Sequence, residues 1–166
     1  MGDSNSVEPG AATKRRGYEL VGFWRPLAWL AIDAVWTGSR ARYDNSPDGV
    51  YVAGAVENAG ELGIAMIYDR WEASLRVRHL GEYPLIEDNS LRADPEISIN
   101  LRGAWKTEHF TVYAELLNVL DEDGKDVVYY YGAHVPGLDP EGEQVDGRVS
   151  RVEEPRTVRF GVKYNF

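Results

Sequence analysis

Arg76 and Arg78 stand two residues apart in Trp71-Glu-Ala-Ser-Leu-Arg-Val-Arg-His-Leu80. Residues two apart in an extended strand share a face, so both guanidinium groups point the same way. Arg102 and Arg159 hold equivalent positions in later alternating segments. Such a face attracts anionic solutes where it lines a lumen, and pairs internally where acids such as Glu72, Glu115 and Asp33 lie beside it. Spacing alone supports both.

The other chemistry-bearing residues form no constellation. Gly2-Asp3-Ser4 has the residue types of a nucleophilic turn. A nucleophilic serine, however, needs a buried strand before it and distant Asp and His partners, and this one sits in a polar terminus. His79, His109 and His134 are far apart, without paired-ligand spacing for zinc, and read as surface or interfacial residues. Asp121–Asp126 with Gly124 gathers acids as a calcium loop does. It lacks alternate-residue ligand spacing and a distant Glu, so it reads as a solvated loop tip. There are no cysteines, hence no disulfide or thiol chemistry. No catalytic, cofactor or metal site is expected, and the chain is not expected to be an enzyme.

The elements that would position these arginines are strands. Arg156-Thr-Val-Arg-Phe-Gly-Val-Lys-Tyr-Asn-Phe166 puts Val158, Phe160, Val162, Tyr164 and Phe166 on one side and Thr157, Arg159, Gly161, Lys163 and Asn165 on the other. Six further segments alternate alike. They are Tyr18–Trp24, the weakest, then Leu30–Trp36, Leu62–Tyr68 with Ile67 as an exception, Trp71–Leu80, Glu96–Trp105 and Phe110–Leu116. Their polar sets carry Asp33, Arg76, Arg78, Asn100, Arg102 and Glu115. Seven strands and no convincing helix predict an all-β fold. Period alone leaves open whether the apolar face meets a core or lipid.

The connections alternate in length. Arg25–Ala28, Asp69-Arg70 and Lys106–His109 are short, whereas Thr37–Glu61, Gly81–Pro95 and Asn118–Pro155 are long. An up-and-down sheet then has every short turn at one end, as outer-membrane barrels have. Trp24 and Trp29 flank the first short turn, Tyr68 and Trp71 the second, Trp105 and Phe110 the third, and Phe166 ends at the same edge. A ring of aromatics at one rim fits a girdle at a bilayer surface. Aromatic plugging of one end of a soluble barrel is the alternative.

Composition agrees. A chain of 166 residues suits one domain. Its mean hydropathy of −0.41 goes with the lack of any long apolar run. A net charge of −9 argues against a nucleic-acid partner. Much of the acid lies in the long loops, at Asp121, Glu122, Asp123, Asp126, Asp139, Glu141, Glu143 and Asp146. Residues 1–14 are polar and read as a flexible segment without the apolar core of a secretory signal, and residues 15–166 as a partial barrel domain.

Several stretches in order resemble the C-terminal barrel portion of TonB-dependent outer-membrane receptors. They are Arg15-Arg16-Gly17-Tyr18-Glu19-Leu20 with Arg25-Pro26-Leu27-Ala28-Trp29-Leu30, and Pro84-Leu85-Ile86-Glu87-Asp88-Asn89-Ser90. Then come Ala114-Glu115-Leu116-Leu117-Asn118-Val119-Leu120-Asp121, similar to the family's Asn-Leu-Phe-Asp segment, Tyr129-Tyr130-Tyr131, and Glu154-Pro155-Arg156 before the terminal strand. The resemblance covers Arg15 to Phe166. It implies a part of a plugged barrel of about 22 strands, located in the bacterial outer membrane. Such receptors take up iron chelates, cobalamin or other scarce solutes with energy delivered through TonB. A plug domain and a TonB box are not recognised in this sequence, so TonB would engage only through a plug outside it. Outer-membrane lipid is an expected partner. The terminal Phe166, with Tyr164 and Val162, resembles the signal read by the barrel-assembly machinery.

Two other architectures fit the pattern. One is a small stand-alone outer-membrane barrel, closed by an eighth strand from Val50–Val56 or Val127–Tyr131. The other is a soluble, lipocalin-like barrel with the apolar face inward, binding an apolar ligand.

Overall fold

The computed structural model describes residues 12–45, 47, 49–133, 145–152, 154–164 and 166. Gly2-Asp3-Ser4, His134, Asp139, Glu141, Glu143 and Asn165 lie outside them, as does the side chain of Asp126.

Eleven strands follow one another in the described residues, with no helix among them. They are β1 Thr13–Leu27, β2 Leu30–Tyr43, β3 Asn58–Tyr68, β4 Trp71–Leu80, β5 Tyr83–Pro84 and β6 Arg92–Ala93. Then come β7 Glu96–Lys106, β8 Phe110–Leu117, β9 Lys125–Ala133, β10 Val145–Val152 and β11 Thr157–Tyr164. Seven of them form one antiparallel sheet in the order β1-β2-β3-β4-β7-β8-β11. The sheet is open: β1 and β11 each have a single neighbour.

The register brings all seven apolar sets into phase. Leu20 faces Trp36, Ala34 faces Leu62, and Leu62 faces Val77. Val77 then faces Ile99, Leu101 faces Leu116, and Val162 faces Val112. Cross-strand partners share a face, so these residues make one continuous apolar surface. A one-residue slip in any strand would put its whole set on the wrong side. Most of this surface is uncovered: Phe160 is 80% and Val162 68% exposed. A soluble monomer rarely leaves so wide an apolar patch open.

The strand ends toward the long loops differ from the sequence expectation. β1 begins at Thr13, so Thr13 and Lys14 belong to the sheet rather than to a flexible segment. β2 runs on to Tyr43 instead of stopping near Trp36, and β3 begins at Asn58. The apolar alternation stops there because Arg15, Arg16, Arg40 and Arg42 are polar on both faces, while the backbone ladder continues. Of the two candidate eighth strands, Val50–Val56 contributes only an isolated bridge, Tyr51 to Arg42. Val127–Tyr131 is a strand, but it pairs with β10 in a separate hairpin.

The buried apolar cluster lies in the loops, not in the sheet. Tyr83, Leu85, Ala93 and Val128 are buried together, with Val56, Leu80, Leu91 and Tyr130 against them. The Tyr83 hydroxyl donates to the Val128 carbonyl at 3.2 Å and accepts from the Val128 N–H at 2.8 Å. This ties the β9–β10 hairpin to the β5–β6 loop. The described parts of the long connections therefore form a packed cap along one rim.

Candidate functional site

The face opposite the apolar one carries Arg76, Arg78, Asn100, Arg102, Glu115 and Arg159 together. Arg76 faces Asn100, Arg102 faces Glu115, and Arg159 faces Glu115 from the far side. The arginines that spacing placed on one side of a strand thus share one surface of a four-strand stretch, β4 to β11.

Most of this charge is paired. Arg76 Nη1 donates to Asp33 Oδ2 at 2.9 Å and to Glu61 Oε1 at 2.5 Å. Arg102 Nη1 donates to Glu115 Oε1 at 2.8 Å and lies over the Tyr113 ring. Lys106 Nζ reaches Glu72 at 2.5 Å, and Arg159 Nη2 reaches Glu154 at 2.7 Å. Asp33, Glu72 and Glu115 are all used as pairing acids, but of these three only Asp33 serves Arg76, beside Glu61. The same face also carries exposed Val21 and Phe23 of β1, the weakest alternating segment, and Ile67 of β3, the exception to alternation there.

Asn100 has a second duty. Its Oδ1 accepts the Asn118 N–H at 3.0 Å, where β8 leaves the sheet. Asn118 takes a positive φ of 48° and donates from Nδ2 to the carbonyls of Glu122 and Glu154. Asp121 accepts the Arg156 N–H at 3.1 Å and pairs with its guanidinium at 2.9 Å. The acidic loop is thereby clamped to the entry of β11. No group of three or more His, Cys, Asp or Glu side chains is placed to hold a metal ion among the described residues.

The two rims differ. At the short-turn rim Trp71 faces both Tyr68 and Trp105 across the ladders. Trp29 meets Tyr68 edge-on at 6.0 Å, and Trp24 is exposed beside the first turn. Tyr164 packs on Phe110 at 4.9 Å and Phe166 edge-on against Tyr164 at 5.1 Å. At the other rim Trp36 stacks flat on His79, with ring centroids 5.5 Å apart and planes 4° apart. His79 Nε2 lies 3.0 Å from Asn58 Oδ1. The Trp36 ring occupies the space a Cβ at Gly60 would need, as the Tyr18 ring does at Gly38. Sequence reasoning missed this second aromatic row; the glycines opposite the rings were the available signal. Trp71 to His79 spans nine residues, within the roughly 9–11 of a tilted bilayer-crossing strand.

The cap has its own electrostatics. Burial alone would raise the Glu57 carboxyl, but hydrogen bonds from Arg92 at 2.6 Å and Arg42 at 3.2 Å outweigh it and hold Glu57 below the usual carboxylate range. The Glu57 bond in turn raises Arg92 against its own desolvation. A cavity of about 220 Å³ between cap and sheet is lined by Asp94, Glu96, Glu122 and Asp123 together with Lys125 and Arg148. Tyr129 and Tyr131 project from β9, each at least half exposed.

An open antiparallel sheet with one apolar and one ion-paired face, tight turns at one rim and capped loops at the other is a segment of a barrel. The chain is similar in structure to the ferric yersiniabactin uptake receptor FyuA from Yersinia pestis, with a TM-score of 0.70 and 20% identity. The match covers 93% of this chain and 24% of that one. It is also similar to BauA, the ferric preacinetobactin receptor from Acinetobacter baumannii, with a TM-score of 0.63 and 16% identity over 93% of this chain and 22% of that one. No family model and no curated protein matches the chain. The likeness is one of fold, and the chain spans about a quarter of the length of these receptors.

Proposed function

We propose that the chain is the C-terminal barrel part of a TonB-dependent receptor for active uptake of a scarce solute, such as an iron chelate or cobalamin, across the bacterial outer membrane. The observation that carries this is the common phase of seven apolar stripes on one uncovered face. In this reading that face meets lipid and the ion-paired face lines the lumen. The short-turn aromatics form the periplasmic girdle, and Tyr18, Trp36 and His79 the outer one. TonB is engaged through a plug domain rather than through these strands. The assembly machinery reads Phe166, Tyr164 and Val162.

Strand direction favours a share in a larger barrel over a small self-contained one. β1 and β11 both run from the long-loop rim to the short-turn rim. They cannot close on each other as antiparallel neighbours, and free edges are not viable in hydrocarbon. The cap, with Tyr129 and Tyr131 exposed, stands where solute would arrive.

The test is uptake of a radiolabelled ferric chelate by iron-starved cells with and without the full receptor. Accumulation that needs the receptor, and stops when a protonophore removes the energy source, is the expected result. A receptor recovered in the soluble fraction without detergent would sink the proposal and favour a soluble ligand-binding barrel.

A further inference from the structure

The outer wall of β1 and β2 continues past the apolar band. Tyr18 lies opposite Gly38 with its ring over the glycine. The next rung on that face sets Arg16 directly opposite Arg40, and the one beyond sets Lys14 opposite Arg42. Four cations occupy two successive rungs. Like charges directly opposite one another destabilise a ladder.

The upper rung is compensated. Lys14 pairs with Asp44 at 2.6 Å, and Arg42 pairs with Glu57 at 3.2 Å while lying on the Tyr51 ring. Among the described residues the lower rung is not. Arg16 and Arg40 are exposed and have no acidic partner among the described residues. Glu57, the one carboxylate lining the same groove, is already held by Arg42 and Arg92. That groove, of about 490 Å³, is lined by Arg16, Tyr18, Gly38, Arg40, Glu57 and Asn58. Successive rungs on one face lie about 7 Å apart, so the arginine pair stands one step above the interfacial Tyr18, at headgroup depth.

We propose that Arg16 and Arg40 form a site on the outer wall for the phosphate monoester of an anionic lipid headgroup in the outer leaflet. This rests on the lipid-facing assignment of the apolar wall. A phosphate between two guanidinium forks accepts paired hydrogen bonds from each and removes their mutual repulsion. The acyl chains would then descend along the apolar stripe below Tyr18. Inorganic phosphate offers the same headgroup chemistry without those chains.

The experiment uses the full receptor in nanodiscs of phosphatidylcholine, with or without a minor fraction of phosphatidic acid. Bound phosphatidic acid is counted by native mass spectrometry. The double variant Arg16→Ala, Arg40→Ala is expected to hold it roughly twenty-five-fold more weakly, about fivefold per arginine. In pure phosphatidylcholine the same variant should melt no lower than the parent, since it loses only repulsion. Equal retention by parent and variant would overturn the site. Full displacement by millimolar inorganic phosphate would make it a free-anion site and overturn the lipid assignment. A receptor that stays in the aqueous fraction sinks the barrel reading itself, whereas one that inserts but shows no preference for phosphatidic acid sinks this site alone.

Discussion

Asp33 and Arg76 pair at 2.9 Å although a whole strand lies between them. The residue between them is Gly63, opposite Asp33 on one side and Arg76 on the other. A Cβ at that position would run into the Asp33 carboxylate. The glycine therefore keeps open the lane through which the two side chains meet.

Gly63→Val is expected to break this pair and lower stability by about 1 kcal/mol, the pair itself being worth no more than that while exposed. In an Asp33→Ala background the same substitution should cost clearly less, because the collision is gone. Urea titration of the four proteins gives the coupling directly. Additive losses would mean that Gly63 serves the backbone and not the ion pair.

Val162 and Val21 give a sharper test of the two faces, since they are 68% and 72% exposed in the open sheet but on opposite sides of it. Val162→Lys should cost about 2–4 kcal/mol of stability in a bilayer. Val21→Lys should cost much less, because it joins the face of Asp33 and Glu61. Ile99→Lys should behave like Val162→Lys, as Ile99 shares its face. Gly161 makes a poor control, since the Tyr113 ring fills the space a side chain there would take. Equal losses at Val162 and Val21, measured by refolding into vesicles, would reverse the face assignment.

These contrasts show what was legible in the sequence. The strands between the rims were, because each has one apolar side and a slip of one residue would expose it. The upper parts of β1 and β2 were not. There Arg15, Arg16, Arg40 and Arg42 give no apolar period, while the backbone ladder continues. The pairing of Tyr83 with Val128 joins residues 45 apart through two single hydrogen bonds, and leaves no local pattern. Arg76 was readable as a residue needing an acid, and Asp33 was among the acids named for it. Glu61 was not, because its place beside Arg76 depends on the register of β3.

Glu57 sets the acid limit of the cap. Its carboxyl is lowered in the folded chain, so its contribution is complete above the ordinary glutamate value of about 4.3 and fades as pH falls through the lower folded value. The Tyr51 and Gly54 amides bond to the Glu87 and Pro84 carbonyls and so report the union of the two loops. Their hydrogen-exchange protection should be equal at about pH 7 and pH 5, then drop below about pH 4. Glu57→Gln should lower protection throughout and flatten that acid step. A step centred near neutrality would point to another group.

The edges of β1 and β11 predict the behaviour of the 166-residue chain by itself. Two unpaired edges running in the same direction and a wide apolar face leave no closed form for it. Aggregation or misassembly in detergent is the expected outcome. A monomer that keeps a heat-dependent mobility on a denaturing gel would show that the chain closes alone, and would favour the small-barrel architecture.

Phe166 is fully exposed and touches the sheet through Tyr164, which packs in turn on Phe110. Two roles fit a terminal ring of this kind. As an interfacial anchor it would hold the edge of β11 at headgroup depth. As part of an assembly signal, Phe166, Tyr164 and Val162 would be captured as alternate side chains of an extended edge strand. The roles separate in kinetics. In the proposed full receptor, deleting Phe166 removes one edge-on ring contact, worth about 1 kcal/mol, and leaves the ladder of β11 with β8 whole. If it is a signal, insertion slows and surface abundance falls several-fold, while the inserted molecules keep a near-parental unfolding midpoint. If insertion proceeds at the parental rate and only the midpoint falls, Phe166 is an anchor and the signal role is wrong.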